Sequence, residues 1–295
     1  MKDLFISVIR DRLADRFALH HSVISALKFS TPNSGKSPMN KVIFLFFKDQ
    51  DSTPFVCAKT VRTQEANNII ERGFARLSAA YEMLQLSQFA DLFPQPLLLS
   101  VDTNGCAFSL ETACSGRRPA PRDYAGIAET YGRQQQFLFQ QNSKFIENWP
   151  RFMEKLFLAL ELPAAEQQRL QTYYREHIAG RQPVRVPRLP QHGDLTLVNI
   201  VIGPQGVQIY DCDRFGLIDL AGFDLFQIIV RWSKADPSVS LLQAMGRHLK
   251  DLGQSQAFGA DLIFAYCLYE FIMKREVMRG DISAQSIINR YNSLT

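Results

Sequence analysis

Residues 191–216 read QHGDLTLVNIVIGPQGVQIYDCDRFG, and this stretch is the most informative about the fold. The segment Gly203-Pro204-Gln205-Gly206 has proline at the second position and glycine at the fourth, as β-turns favour. Apolar residues flank the turn on both sides, so we expect a hairpin in which Ile202 pairs with Val207. The stretch therefore predicts a β-rich island within a part of the chain that is otherwise mostly helical.

Oxygen-bearing side chains collect at the open end of this hairpin. Counting outward from the turn brings Asn199 opposite Tyr210 and beside Asp211. Asp194 lies five residues before Asn199, in the loop that leads into the hairpin, and Asp213 follows two residues after Asp211. Several acids with few cations nearby are costly unless a cation binds from solution. Amide and carboxylate oxygens suit Mg²⁺, so the pattern predicts a magnesium site.

The motif HGD-x-x-x-x-N, followed by the hairpin and by I-x-D-x-D, resembles the catalytic segment of the aminoglycoside phosphotransferase and choline kinase family. Protein kinases have the same D-x-x-x-x-N spacing in their catalytic loop. Taken singly, His-Gly-Asp is often only a turn, and an aspartate before a strand is often only a cap. The combined order and spacing favour the functional interpretation. The resemblance implies a protein-kinase-like fold with ATP and Mg²⁺ as cofactors.

The resemblance also implies roles for individual residues. Asp194 would accept the proton of the attacking hydroxyl. Asn199 and Asp211 would hold Mg²⁺ against the phosphates of ATP. Three residues would support the loops of the catalytic lobe without taking part in the chemistry: His192, Asp213 and Asp224.

The distribution of patterns along the chain predicts an α+β fold with two lobes. The N-terminal lobe, residues 1–113 with a helical extension at 1–22, would hold a small antiparallel sheet and one helix. Its strands are predicted at 23–29, 41–47, 55–61, 96–102 and 106–113. The helix follows from one apolar stripe between Ile70 and Leu84. The larger lobe, 114–295, would be mostly helical, with helices near 123–148, 151–161, 164–179, 222–233, 238–251, 259–279 and 283–293.

A kinase-like N-terminal lobe needs a lysine on its third strand to reach the α- and β-phosphates, and Lys59 occupies such a strand. The alternative is an edge-strand lysine that points to solvent. The helix that follows usually supplies a glutamate partner, but Gly73 stands nearest the expected position. Glu71 reaches Lys59 only if the helix is rotated or the register is shifted, and Glu65 is a second candidate. A solvated surface charge explains Glu71 equally well.

The resemblance also places the nucleotide relative to the rest of the N-terminal lobe. Adenine would bind to main-chain groups where the chain leaves the lobe, between Glu111 and Ala113. Main-chain amides near 33–36 would contact phosphate. The residues expected to bind the nucleotide are therefore Lys59, Glu71, Glu111 and Ala113.

Composition limits the class of protein. Hydrophobic residues make up 46% and charged residues 21%, and the net charge of +4 is too small to require a nucleic-acid partner. The five cysteines are scattered, as in proteins of a reducing compartment. No apolar run is long enough to cross a bilayer. We expect a soluble, cytoplasmic protein. The glutamines at 134–136 predict a solvated helix face.

Three functional hypotheses remain at this stage. The first is an ATP- and Mg²⁺-dependent phosphotransferase that acts on a small-molecule hydroxyl. The second is a catalytically weak or inactive relative that binds nucleotide and acts as a partner or regulator, since Gly73 replaces a glutamate. The third is a helical interaction protein without a nucleotide site.

The sequence defines the molecule that would receive the phosphoryl group less well than it defines the nucleotide site. Residues 217–295 hold eight acids and eight Lys or Arg, so the acidic surface that a polycationic aminoglycoside needs is not evident. Aromatic residues that might form a choline cage have the helical spacing of a core. The segment RFGLIDLAGFDLFQII resembles proteins of bacterial polysaccharide synthesis, which makes a sugar or glycan hydroxyl the first hypothesis.

Overall fold

The computed structural model describes residues 1–30, 41–142, 144–180, 186–250, 259–274 and 282–295. The chain divides into two compact units. Unit 1 consists of Met1–Pro119 and Thr196–Phe215, and unit 2 of Ala120–Leu195 and Gly216–Thr295. The hairpin of the sequence motif thus belongs to the same unit as the N-terminal part of the chain. These units differ in definition from the predicted lobes, 1–113 and 114–295, and the division into those lobes stays a prediction.

Unit 1 is built on a five-stranded antiparallel sheet in the order β1-β2-β3-β5-β4. Its strands are β1 (Ile24–Ser30), β2 (Val42–Lys48), β3 (Pro54–Thr60), β4 (Pro96–Val101) and β5 (Ala107–Thr112). All five predicted strands are confirmed to within one residue at each end. Two helices accompany the sheet: α1 (Lys2–Phe17) and α2 (Asn67–Glu82). The predicted stripe of α2 is also confirmed, since Ile70 and Leu77 are buried.

Helix α1 covers one face of this sheet. Its buried residues are spaced four apart, which places them on one side of the helix. Among them, the ring of Phe5 contacts the rings of Phe44 and Phe108 at centroid distances of 5.3 and 5.1 Å. Val56 and Ala58 of β3 belong to the same core. The segment predicted as a helical extension is thus an integral part of the core of unit 1.

The opposite face of the sheet carries the polar residues of interest. Side chains alternate between faces along a strand, so Lys59 points away from the α1 side on which Ala58 packs. Helix α2 borders this second face, where Ile70 packs with Ala107 of β5. The sheet thereby separates a wholly apolar layer from a layer that contains charges.

Unit 2 is mostly helical. Its elements are α3 (Tyr124–Gln141), β6 (Phe145–Ile146), α4 (Trp149–Ala159), α5 (Ala164–His177), β7 (Val186–Pro187), α6 (Phe223–Ala235), α7 (Leu241–Lys250), α8 (Ala260–Lys274) and α9 (Ala284–Asn292). The central element is α8, because residues 262–268 are all buried whichever side they face. Residue 251 of the helix predicted at 238–251 and residues 275–279 of the helix predicted at 259–279 lie outside the described residues.

One helix prediction in unit 2 was wrong in extent. The predicted helix at 123–148 ends at Gln141, where Asn142 leaves the helical conformation with a φ of −149°. Residues 145–146 instead form β6, which pairs with β7. The partner strand lies about forty residues further along the chain, so local periodicity contained no sign of it. Within the described residues, no helix has the length and apolar character needed to span a membrane.

The packing of α1 makes a testable prediction about the stability of unit 1. Phe5→Ala should lower the free energy of unfolding by about 3–5 kcal/mol, because a fully buried aromatic ring leaves a cavity when it is removed. Arg12→Ala, on the exposed side of the same helix, should change it by less than about 0.5 kcal/mol. Urea denaturation of both variants measures the difference. Equal effects would mean that α1 does not pack as described.

Candidate active site

The hairpin has the predicted register. Strands β8 (Ile200–Gly203) and β9 (Gly206–Ile209) pair with Ile202 opposite Val207, as expected from the turn. At the open end, the main-chain N–H of Tyr210 donates to the carbonyl of Asn199 at 3.0 Å. The pairing therefore continues one step beyond the strands and places the buried Asn199 opposite Tyr210. Asp211 is the next residue along the chain.

Asp211 follows the hairpin in an uncommon backbone conformation. Its φ is 63°, in the left-handed region that residues other than glycine rarely adopt. A short 3₁₀ helix, Cys212–Arg214, begins immediately after it. Such conformations cost free energy and occur mainly where the surroundings impose them, often at functional sites. The chain bends between Asp211 and Asp213, and this bend allows the two carboxylates to approach one cationic group.

That shared group is the ammonium of Lys41, which directly precedes β2. Its Nζ lies 3.3 Å from Oδ1 of Asp211 and also forms an ion pair with Oδ2 of Asp213. Asp213 is held a second time, because Arg76 of α2 donates to its main-chain carbonyl. Neither Lys41 nor Arg76 was predicted from the sequence, since nothing in their local pattern distinguishes them from surface cations.

Lys59 has a carboxylate partner, and it is Glu111. Nζ of Lys59 lies 2.8 Å from Oε1 of Glu111, with the two side chains only 13% and 5% exposed. The sheet register explains the pairing. Ser109 of β5 lies directly opposite Lys59, and Glu111 lies two residues further along the same face. Glu71, which the sequence suggested as a possible partner of Lys59, is exposed and does not fill this role.

The environment of Lys59 favours its charged form, and the net effect is on the pKa of its ammonium. Burial by itself lowers the pKa of the Lys59 ammonium. The nearby charges of Glu111 and Asp211, together with the hydrogen bond to Glu111, outweigh burial, and the net pKa is raised above its ordinary value. Lys59 is therefore a buried, permanently charged ammonium. Burial also raises the pKa of the neighbouring Cys114 thiol to about 12, so this thiol remains protonated.

Gly73 explains why a helix glutamate is absent. A Cβ atom at this position would lie 2.8 Å from Oδ1 of Asp213, closer than real Cβ contacts allow. A glutamate there would also place a second negative charge beside Asp213. A side chain at position 73 would therefore require the Asp213 carboxylate to move, and the carboxylate for Lys59 comes from the sheet instead. The hollow between them is lined by Lys41, Lys59, Gly73, Glu111 and Asp213, with apolar residues of α2.

The segment expected to bind adenine is partly occupied by internal hydrogen bonds. The N–H of Ala113 donates to the carbonyl of Phe55 at 3.1 Å, and the N–H of Thr112 donates to the carbonyl of Gln95 at 2.9 Å. The side chain of Glu111 faces Lys59. A base bound here would therefore have to use main-chain groups other than the N–H groups of Thr112 and Ala113. The phosphate contacts expected at 33–36 lie outside the described residues.

In unit 2, a buried aspartate holds the His-Gly-Asp loop. Asp224 of α6 is fully buried and accepts hydrogen bonds from the main-chain N–H groups of His192 and Gly193, the latter at 3.0 Å. The hydroxyl of Tyr131 donates to the same carboxylate at 2.6 Å. Burial raises the pKa of Asp224, while these donors lower it, and the net shift is upward. The loop that carries the half-buried Asp194 is thus tied to α6 and α3.

A second layer of support for this loop comes from glutamine side chains and was not predicted from the sequence. The glutamine run was predicted to be solvated, but Gln134 and Gln135 are buried. The side-chain amide of Gln191 donates to Oε1 of Gln135 at 2.5 Å. Because helical periodicity does not distinguish a polar residue that is bonded inside from one in water, the pattern gave no sign of it. Gln134 and Gln135 therefore face the interior, and Gln135 is bonded to the loop.

The donor set suits a magnesium ion. Two carboxylates, Asp211 and Asp213, already converge on one cation, the ammonium of Lys41, and Asn199 lies at the same end of the hairpin. Mg²⁺ is usually held by one or two carboxylates, with water and phosphate as the other ligands. Among the described residues, no group of three or more His, Cys, Asp or Glu side chains is placed to bind a metal.

Comparisons with known proteins identify the fold. No family model and no curated protein matches the chain. A solved structure of a thermostable mutant of aminoglycoside phosphotransferase APH(4)-Ia, in its apo form, is 11% identical and aligns over 97% of each chain with a TM-score of 0.51. The GDP and kanamycin complex of the aminoglycoside phosphotransferase APH(2")-IIIa is 11% identical and aligns over 98% of this chain and 97% of that one, with a TM-score of 0.50.

This likeness confirms the predicted fold class. The antiparallel sheet followed by a helical part is the kinase-like α+β fold of the aminoglycoside phosphotransferases. The resemblance that the HGD-x-x-x-x-N motif implied therefore extends over nearly the whole chain at the level of the fold.

The two candidate partners of Lys59 can be compared directly. Glu111→Gln should lower the free energy of unfolding by about 3 kcal/mol at pH 7, because it leaves a buried ammonium without its counter-charge. Glu71→Gln, which removes an exposed carboxylate, should have an effect within about 0.5 kcal/mol. Urea denaturation measures both. A larger loss in Glu71→Gln would overturn the assignment of the pair.

The same variant has a characteristic dependence on pH. Without Glu111, burial dominates and the pKa of Lys59 falls, so the folded variant binds fewer protons than its unfolded chain as the pH approaches 10. Stability rises with pH wherever the unfolded state binds more protons. The deficit of Glu111→Gln relative to wild type should therefore shrink between pH 7 and pH 10. A constant deficit would contradict the presence of a buried, charged Lys59.

Proposed function

We propose that the protein is an ATP- and Mg²⁺-dependent phosphotransferase that transfers a phosphoryl group to a hydroxyl of a small molecule. The observation that carries this proposal is the grouping of charges in unit 1. A buried Lys59–Glu111 pair lies beside two aspartates that converge on one cation. A fold shared with aminoglycoside phosphotransferases supports the same reaction class.

In this proposal, the residues of unit 1 bind the nucleotide and its metal. Lys59 contacts the phosphates, and Glu111 holds its ammonium in place. Asn199 and Asp211 hold Mg²⁺, with Asp213 close to the same position. When bound, the metal neutralises the charge that develops on the transferring phosphoryl group. The adenine site between Glu111 and Ala113 and the role of Glu71 carry less weight, given the hydrogen bond of Ala113 and the exposure of Glu71.

Asp194 is the proposed catalytic base. Its loop is fixed by Asp224, which binds two consecutive main-chain N–H groups just before it. A carboxylate positioned in this way accepts the proton of the attacking hydroxyl, and phosphoryl transfer otherwise depends on positioning and on charge neutralisation. His192 supports the loop through its main chain, since its N–H is one of the two donors to Asp224.

For the acceptor, we propose the hydroxyl of a sugar or glycan. The GDP and kanamycin complex concerns a protein with only 11% identity, so it does not identify the acceptor of this chain. Residues 217–295 hold equal numbers of acidic and basic residues, which does not favour a polycationic ligand. A neutral hydroxyl-rich acceptor is compatible with this balance. We place the reaction in the cytoplasm, where ATP is supplied.

The second candidate function, a nucleotide-binding protein without catalysis, is less well supported. It was motivated by Gly73, which would leave Lys59 without a carboxylate. Glu111 lies 2.8 Å from Lys59 and fills that role from the sheet. The departure from the family pattern therefore concerns only the position of the carboxylate that pairs with Lys59. The carboxylate comes from β5 in place of α2.

The role of Asp194 is tested by its conservative substitution. Asp194→Asn should lower kcat by about 100- to 10,000-fold, as expected for loss of a general base, while the affinity for Mg-ATP changes little. The matched control is Asp236→Asn. Asp236 is exposed and follows the C-terminal end of α6, whereas Asp224 lies in the first turn of this helix. ATP consumption with a panel of sugar acceptors measures turnover, and calorimetry measures nucleotide binding. Wild-type turnover in Asp194→Asn would overturn the assignment.

A further inference from the structure

The ammonium of Lys41 lies where the proposed metal would bind. We infer that Lys41 is an internal competitor of Mg²⁺ for Asp211 and Asp213 and that it makes metal binding depend on the nucleotide. This inference rests on the metal ligands of the proposed function. In the protein alone, both carboxylates pair with the single charge of Lys41. A metal ion has to displace that charge before it can bind.

The geometry indicates which partner moves. The main chain of Asp213 is held by the hydrogen bond that Arg76 donates to its carbonyl. The main chain of Asp211 is held in a left-handed conformation between the hairpin and the 3₁₀ helix. Lys41 by contrast has a flexible four-carbon stem that ends in a compact charge. Its ammonium is therefore the group that can withdraw while the carboxylates stay in place.

The surrounding charges explain why withdrawal needs a nucleotide. A second ammonium in the hollow, that of Lys59, is already paired with Glu111, although its charge also acts on Asp211. A metal ion that entered alone would leave the Lys41 charge buried, with an exposure of only 17%, and without its carboxylates. That arrangement is costly in a partly buried site. Phosphate groups supply the negative charge that receives the displaced ammonium.

Lys41 thereby acts as a positioning residue with two states. When the site holds no metal, the single charge of Lys41 offsets part of the negative charge of Asp211 and Asp213, which weakens their mutual repulsion. When metal and nucleotide arrive together, the charge moves to the phosphates. The expected consequence is weak affinity for a free divalent ion and high affinity for the metal–nucleotide complex.

Removal of the ammonium should separate these two affinities. In the absence of nucleotide, Lys41→Met should bind Mn²⁺ at least about tenfold more tightly than wild type, because the ammonium that competes for the two carboxylates is removed. Lys41→Arg, which keeps the charge, should bind Mn²⁺ about as weakly as wild type. Lys28→Met, at an exposed lysine of β1, is the matched control. Electron paramagnetic resonance of free Mn²⁺ measures all four proteins.

Thermal stability supplies a second readout that does not depend on activity. In EDTA, Lys41→Met should melt below wild type, and Mn²⁺ should raise its midpoint by more than it raises that of wild type. If Lys41→Met does not fold, Lys41→Gln carries the same comparison. Equal Mn²⁺ affinity in Lys41→Met and wild type would overturn the inference.

The outcomes also distinguish this inference from the proposed function. If Mg-ATP stabilises the wild-type protein but Lys41→Met gains no affinity for Mn²⁺, only the competition by Lys41 is wrong. If Mg-ATP has no effect on wild type while Lys41→Met binds Mn²⁺ tightly, the two aspartates bind metal but the proposed function is wrong.

Discussion

The buried ion pair between Lys59 and Glu111 is the interaction on which the rest of the candidate site depends. Two charges that are almost completely removed from water are tolerable only as partners, since either one alone would cost several kcal/mol. The register of β3 with β5 brings them together, and α1 closes the opposite face of the same sheet. A fold that builds its apolar layer on one side can therefore support a charged layer on the other.

The charged layer also accounts for the departure at Gly73. A family pattern that places a glutamate on α2 requires space between this helix and the segment after the hairpin. In this protein the space is filled by Asp213, whose Oδ1 would lie 2.8 Å from a Cβ atom at position 73. Glycine at that position and glutamate at position 111 are thus two parts of one arrangement. The helix approaches the acidic segment closely, and the strand supplies the counter-charge for Lys59.

Much of this architecture could be predicted from local sequence. The turn residues around Pro204 defined the register of the hairpin, and alternating apolar runs located five strands. The partner of Lys59 could not be predicted, because β3 and β5 are about fifty residues apart and their register is set by the packing of the whole sheet. Lys41 and Gln135 were missed for a related reason. A polar residue's pattern does not show whether it meets water or a buried partner.

The central claim is that the charges of unit 1 bind a magnesium–nucleotide complex. Thermal melts of the wild-type protein and of Asp211→Ala, each with ATP and Mg²⁺, with ATP and EDTA, and with Mg²⁺ alone, test it most directly. A ligand that binds only the folded state raises the midpoint. We predict a rise in wild type that requires ATP and Mg²⁺ together and that is lost in Asp211→Ala. The absence of a rise at millimolar Mg-ATP, or an equal rise in the variant, would contradict the account.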